Sequence, residues 1–343
     1  MELASLKKFS AKIGSNPLLV QAAGGNTSIK QNGLMWIKAS GTWLEDADNR
    51  DIFVPLDYHK LRNAIEHGDP DCESCVKFVK SDLNVSNLRP SIETSVHGAI
   101  QHAVVIHVHC VNTIAWAIQI DACELIAEKL QGENWAFVPY VKPGLSLSKM
   151  IQKVIAPDTN ILVLENHGLV IAATTVAEAR VLLTRVVDKL NIMPRICPIP
   201  DIAALESFSF GHEYVPAKMM EAHALALDPV ANEFGRQYVY YPDHVVFLGA
   251  SIPNEFGSGA PAVIVPGKGV LVHKNAKPAI EPMLRCIGDV LLRVKQSARL
   301  KALSRHEIDE LLNWDAEKYR QSLKLERFPV GLNRKGIPKS VEA

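Results

Sequence analysis

The run Val104-Val105-Ile106-His107-Val108-His109-Cys110 decides how the rest of the chain is read. It is a short apolar segment of strand length, and a strand sends alternate side chains to the same face. His107 and His109 therefore project side by side from one apolar strand. Unpartnered imidazoles are costly to bury. The pair is either hydrogen-bonded inside a core or offered to one divalent ion. Working outward, a second apolar segment, Ile161-Leu162-Val163-Leu164-Glu165-Asn166-His167-Gly168-Leu169-Val170-Ile171, carries a third histidine, and Glu93 lies upstream in Pro90-Ser91-Ile92-Glu93-Thr94. Three histidines and one movable carboxylate describe an open, catalytic metal site rather than a closed structural one.

The 343 residues suffice for one large domain or two ordinary ones, and a hydrophobic content of 48% can fill a large core. Lys+Arg and Asp+Glu balance at 37 each. That argues against nucleic-acid partners, which need a basic excess. No apolar run approaches a membrane span, and Met1-Glu2-Leu3-Ala4-Ser5-Leu6-Lys7-Lys8 lacks the apolar core of a signal peptide. The expectation is a soluble, cytoplasmic protein with no membrane partner. Cys72 and Cys75 form a C-x-x-C in a polar stretch, with no second pair at zinc-ribbon spacing, and read as ordinary thiols.

Residues 1–15 read as an amphipathic helix. Asn32-Gly33, between Ser28-Ile29-Lys30 and Met35-Trp36-Ile37-Lys38, marks a tight hairpin. Pro90-Ser91 predicts a helix to about His102 with Ser91 as N-cap, placing Glu93 and His97 on one face. Further helices are expected over 112–131 and 145–155, and from the capping box Thr175-Val176-Ala177-Glu178 to about Asn191. Strands are expected at 135–140, 161–165 and 169–172. The Pro-rich stretch 193–200 is the linker candidate. Beyond it the pattern gives a helix near 217–235, strands near 237–248 and 262–273, and a helix over 277–297. The last 20 or so residues are basic and Pro/Gly-containing, and loose order is expected there. Strands and helices alternate with hairpins among them, which predicts an α/β fold with a mixed, largely antiparallel sheet and helices on both faces.

Gly24-Gly25-Asn26-Thr27-Ser28, Ser40-Gly41-Thr42, Pro90-Ser91-Ile92-Glu93, His97, His107-Val108-His109 and Asn166-His167-Gly168 together resemble the motifs of the class II aldolase/adducin family, in order and in spacing. The resemblance covers about residues 5 to 195. The remainder, including Val138 to Gly144 and Tyr241-Pro242-Asp243-His244, is similar to longer bacterial members related to the aldolase part of bifunctional rhamnulose-phosphate aldolase/dehydrogenases. On this basis residues 1–195 form the catalytic domain, 196–325 a C-terminal α/β extension and 326–343 a loose tail. The resemblance implies a three-layer αβα fold and a homo-oligomer, a cyclic tetramer. It also implies Zn2+ or another divalent metal on His107, His109 and His167, and Glu93 as the catalytic acid/base. Gly25, Asn26, Ser40, Gly41 and Ser91 are implied to hold a substrate phosphate, as their backbone and polar groups suit an anion. Two ordinary tight turns are the alternative by composition alone. The second serine that often follows Ser91 in the family is Ile92 here, which removes one phosphate-binding hydroxyl.

The implied activity is a metal-dependent aldolase that cleaves a sugar or sugar phosphate through a metal-stabilised enediolate. Neutral imidazoles leave the ion's charge for Lewis-acid work, and a carboxylate moves the proton beside the carbonyl. An epimerase or decarboxylase of the same family reuses that chemistry. An adducin-like interaction module is the non-catalytic alternative, which the three histidines and the acid disfavour. His97 reads as a hydrogen-bonded residue that buttresses the site, and Asp243-His244 is left unassigned. Finally, residues 262–272 align in pattern with 161–171, with Lys268 at the position of His167. A second hairpin leading into a helix is expected there, without a metal site, because a protonated amine is a poor ligand.

Overall fold

The computed structural model describes residues 2–257 and 259–322, so the expectation for the tail 326–343 lies outside the described residues. Helix α1 (Glu2–Gly14) leads into β1 (Asn26–Gln31), β2 (Leu34–Lys38), β3 (Phe53–Asp57), α2 (Tyr58–Glu66) and α3 (Thr94–Ala99). Then come β4 (Val104–Val108), α4 (Val111–Ala117), α5 (Ala122–Lys129), β5 (Trp135–Val138), α6 (Leu145–Val154), β6 (Ile161–Leu164), β7 (Gly168–Ala173) and α7 (Val176–Lys189). The strands form one sheet in the order β3-β2-β1-β4-β7-β6-β5, every neighbouring pair antiparallel except β5 with β6.

Strand alternation sorts the core into layers. Val104, Ile106 and Val108 pack with Leu6, Phe9, Leu182 and Val186 of α1 and α7. Val105 points the other way, with Leu162 and Val170, against Val96, Ile100, Leu147 and Ile151 around α3 and α6. Met35, Ile37, Val54 and Leu56 continue that second face over Leu61 and Ile65 of α2. Each such side chain contributes about 1.5–3 kcal/mol by leaving water. A one-residue slip of β4 would invert every side chain, so apolar packing alone fixes the face on which His107 lies.

The C-terminal part continues with α8 (Ile202–Phe208), β8 (Tyr214–Pro216), α9 (Ala224–Leu227), α10 (Pro229–Gln237), α11 (Pro242–Leu248), β9 (Ala262–Val265), β10 (Gly269–His273), α12 (Ile280–Leu291), α13 (Arg305–Leu312) and α14 (Asp315–Ser322). Its three strands form a second sheet in the order β8-β10-β9. Tyr240, Tyr241, Leu284, Ile287 and Leu291 share a core with Val111 and Ile114 of α4 and with Ile118 at its end. The extension is thereby seated on the helix that follows the histidine strand. Among the described residues no helix is long and apolar enough to cross a membrane.

Several elements differ from the sequence reading. The stretch 237–248, expected as strand, holds helix α11. Pro242 sits at its first turn, where the missing N–H costs nothing, and a short apolar run does not by itself distinguish strand from buried helix. The helix expected over 112–131 breaks into α4 and α5, because Gln119 bridges to Leu300 while Ile120 N and Lys301 N bond Arg299 O and Ile118 O. The helix expected near 217–235 breaks at Asp228-Pro229, where the Asp228 side chain caps α10. The helix expected from Pro90-Ser91 is only α3, whose N-cap position is Glu93 rather than Ser91.

Candidate metal centre

Glu93 reaches the histidines because of that late helix start. Ser91 Oγ accepts from Glu93 N–H at 3.2 Å, and Thr94 Oγ1 donates to Ser91 O at 2.6 Å. This turn sets Glu93 at the head of α3, on the sheet face that His107 and His109 share with Val105. His167 arrives from the β6–β7 turn, where Asn166 adopts a left-handed φ of 52°, a conformation asparagine tolerates better than most residues. The ligand atoms of Glu93, His107, His109 and His167 all lie within 4.8 Å of one another, and all four residues are buried.

The spacing fits one ion. His107 Nε2 and His109 Nε2 stand 3.2 Å apart, and two nitrogens about 2.0–2.1 Å from a tetrahedral zinc would be about 3.3–3.4 Å apart. Glu93 Oε2 is 3.5 Å from His107 Nε2, and Oε1 is 3.4 Å from His167 Nε2. That Oε1 is buried with no hydrogen-bond partner among the described residues, a costly state for a core carboxylate unless something else meets it. His107 Nδ1 lies 3.1 Å from Leu169 O. A carbonyl only accepts, so Nδ1 carries the proton and Nε2 presents its lone pair to the cluster.

Electrostatics favour the same state. Burial pushes the imidazole of His167 down to about 3 and lowers that of His107 as well, against the pull of Glu93. Both are neutral at pH 7, as metal ligation requires. Burial would raise the Glu93 carboxyl, but His107, His167, His109 and the Asn26 hydrogen bond outweigh it and hold it at about 2.

The support for Glu93 is a polar chain on one sheet face. β1 pairs with β4 so that Asn26 lies opposite His107 and Ser28 opposite Val105. Asn26 Nδ2 donates to Glu93 Oε2 at 2.8 Å, and its Oδ1 accepts from His97 Nε2 at 2.5 Å. His97 Nδ1, kept unprotonated by burial, then accepts from Ser28 Oγ at 2.7 Å. His97 is the buttress expected from the sequence. Asn26, read there as a phosphate-binding residue, uses its carboxamide to fix one oxygen of Glu93.

Gly25, Asn26, Ser40, Gly41, Ser91, Glu93, His109 and His167 line one cleft. Ser40 Oγ is buried there without a partner among the described residues. Four charged lining residues were given no role in the sequence reading: Lys38, Asp243, Glu317 and Arg320. Lys38 donates to Ala23 O and Gly25 O at 2.7 and 2.8 Å, and burial lowers its amine to about 7. Burial lifts the Glu317 carboxyl to about 7. Burial opposes ionisation of Asp243, but Arg320 and His109 prevail and hold its carboxyl well below the usual range. Lys38 ends an apolar strand just before Ser40-Gly41, a legible signal. Asp243 stood in a recognised segment, whereas Glu317 and Arg320 carry no motif. The space open to the centre of a water molecule is about 20 Å3, room for a water or two, so the cleft is narrow in this conformation.

A family model described as the class II aldolase and adducin N-terminal domain matches residues 10–192, more than half of the chain. The chain belongs to the class II aldolase/adducin family. Members typically use a divalent metal, and this member has a buried cluster of one glutamate and three histidines. Among curated proteins it is similar to the uncharacterized oxidoreductase YuxG of Bacillus subtilis (strain 168), 32% identical over 170 residues, which are 46% of this chain and 24% of that protein. The chain thus spans about a quarter of the length of that relative. Among solved structures it is similar to the N-terminal class II aldolase domain of a conserved protein from Thermoplasma acidophilum, with 26% identity, 54% of this chain and 90% of the other covered, and a TM-score of 0.48. A sugar-phosphate aldolase from Thermotoga maritima matches at 15% identity over 55% of this chain and 91% of its own, with a TM-score of 0.43.

Proposed function

We propose that this class II aldolase family member is a divalent-metal-dependent carbon–carbon lyase that cleaves a sugar or sugar phosphate by a retro-aldol reaction. The observation that carries the reading is Glu93, with one oxygen fixed by Asn26 and the other, Oε1, unbonded beside three buried imidazoles. His107, His109 and His167 would hold the ion, and a bound divalent ion supplies Lewis-acid stabilisation of negative charge on substrate oxygens. The free Oε1 of Glu93 is the atom suited to take up and return a proton at the carbon beside the carbonyl. The narrow cleft limits the water beside that proton. Gly25, Gly41, Ser40 and Ser91 line the same cleft, where a substrate anion would lie. Admission of a sugar needs a wall to move, and α14 brings Glu317 and Arg320 to that wall.

On this reading residues 1–195 make the catalytic unit, 196–325 an extension docked on it, and the working form is a homotetramer, checked by light scattering. The function is tested by a retro-aldol screen of ketose 1-phosphates and free sugars with added zinc, manganese or cobalt. Released dihydroxyacetone phosphate, pyruvate or aldehyde is the expected result. Glu93→Gln is expected to keep metal and fold but lower turnover about 10²–10⁴-fold. Near-normal turnover of the variant would assign the proton to another residue. Epimerised sugar without cleavage would replace the lyase by an epimerase.

A further inference from the structure

The family match ends at residue 192, but the surroundings of the histidines do not. Asp243, in the first turn of α11, is buried, and its Oδ2 lies 3.2 Å from His109 Nδ1. That oxygen forms no hydrogen bond among the described residues, which leaves the His109 imidazole as its ion-pair neighbour. The opposite ring nitrogen of His109, Nε2, is the one that faces His107 Nε2. His107 has its own Nδ1 fixed by a carbonyl of the sheet. His109 stands one residue beyond the end of β4, where the ladder with β7 has run out. Its orientation must come from elsewhere.

The approach of the carboxylate is built into the fold. A Cβ on Gly24 would fall 2.8 Å from His109 Nδ1 and 2.9 Å from Asp243 Oδ2, so a side chain at position 24 would crowd this pair. The other oxygen of Asp243 accepts from Arg320 of α14, whose guanidinium also bonds Glu317 at 3.0 Å. The same segment holds the third histidine's turn, since Asn166 Nδ2 donates to Tyr240 O and Lys301 O, both at 2.7 Å.

We propose that Asp243 is a positioning residue for the metal centre: it orients His109 through Nδ1, with Arg320 fixing the carboxylate, so that the C-terminal extension completes a site the family-matched part leaves unfinished. The inference rests on the metal-site reading above. A carboxylate behind a ligating histidine fixes its tautomer and raises its basicity, and losing such a partner typically weakens metal binding about 10–100-fold.

The test is metal affinity of the full chain, measured by competition for zinc or cobalt against a chromogenic chelator, with the visible spectrum of the cobalt form as a second readout. Asp243→Asn is expected to bind about 10–100-fold more weakly and to shift the cobalt bands. Arg320→Gln, which frees the carboxylate without removing it, is expected to move both readouts in the same direction by less. It serves as the informative variant should Asp243→Asn fail to fold. Wild-type affinity and an unchanged cobalt spectrum in the folded variants would overturn the role of Asp243. His109→Ala separates the two ideas. If it loses the metal while Asp243→Asn does not, the metal site stands and the positioning role falls. If it keeps the metal at full affinity, the metal-site reading itself falls.

Discussion

In β6–β7, Ile161 pairs with Ile171 and Leu164 with Gly168, and in β9–β10 Ala262 pairs with Val272 and Val265 with Gly269. The two hairpins share one register when residue 161 is laid on 262. Their turns agree as well: Asn166 and Gly267 both have positive φ, at 52° and 71°, and His167 N and Lys268 N bond Leu164 O and Val265 O. Each second strand also pairs with one more antiparallel strand. There the likeness stops. The residue opposite Val170 is His107 of β4, whereas the residue opposite the corresponding Leu271 is Pro216 of β8. The first turn is buried under Tyr240 and Lys301, whereas the second is exposed, with Lys268 Nζ 4.9 Å from the centre of the Phe208 ring. A strand–turn–strand unit is a general way to present one side chain. Whether that side chain does chemistry depends on the strand laid beside it.

The largest effect expected comes from exchanging the third turn residue. His167→Lys is expected to weaken metal binding by more than about 100-fold, beyond the range for losing an outer-shell partner, while Lys268→His gains no second ion. Metal content after dialysis checks both. A second ion in Lys268→His would break the claim that the neighbouring strand decides. The turn's second residue should matter less. Asn166→Gly keeps the left-handed backbone but leaves Tyr240 O and Lys301 O without their donor, and is expected to cost about 1–3 kcal/mol. Gly267→Asn, with nothing within 4 Å of a Cβ there but a left-handed φ of 71° to hold, is expected to cost no more than about 1 kcal/mol, since asparagine tolerates that conformation better than most residues. Urea denaturation of the four single variants measures the difference.

A last effect is one of pH. Burial holds His167 at about 3 in the folded chain, against an ordinary 6.5. Between those values the unfolded chain binds a proton that the folded chain does not, so stability of the metal-free protein falls as pH drops through that window. The slope from one such group is on the order of 1 kcal/mol per pH unit. His167→Gln should flatten the stability curve by about that amount between pH 6 and 4, and Lys268→Gln should leave the slope as it is. Equal slopes for His167→Gln and wild type would show that other buried groups carry the acid sensitivity.

Much of the site was legible in the sequence for local reasons. The spacing of His107 and His109, the Asn166-His167-Gly168 turn and the acid after Pro90-Ser91 are short-range patterns, and the helix and strand periods translate them directly into faces and turns. The same logic failed at 237–248, where a short buried apolar run reads equally well as strand, and at 112–131, where backbone pairing with residues 299–301 breaks a helix that local propensity would continue. Neither outcome is stated by nearby residues.

The sequence by itself therefore determined the sheet face that carries the histidines, because burying Val104, Ile106 and Val108 on one side leaves His107 and His109 no other. Only the tertiary structure decided what surrounds them. Asn26 meets Glu93 across 67 residues, Asp243 reaches His109 from α11, and Arg320 reaches Asp243 across 77. The last two contacts follow from how the extension packs on α4, a consequence of buried apolar surface that is non-directional. The polar groups it carries acquire their partners only once that packing is complete.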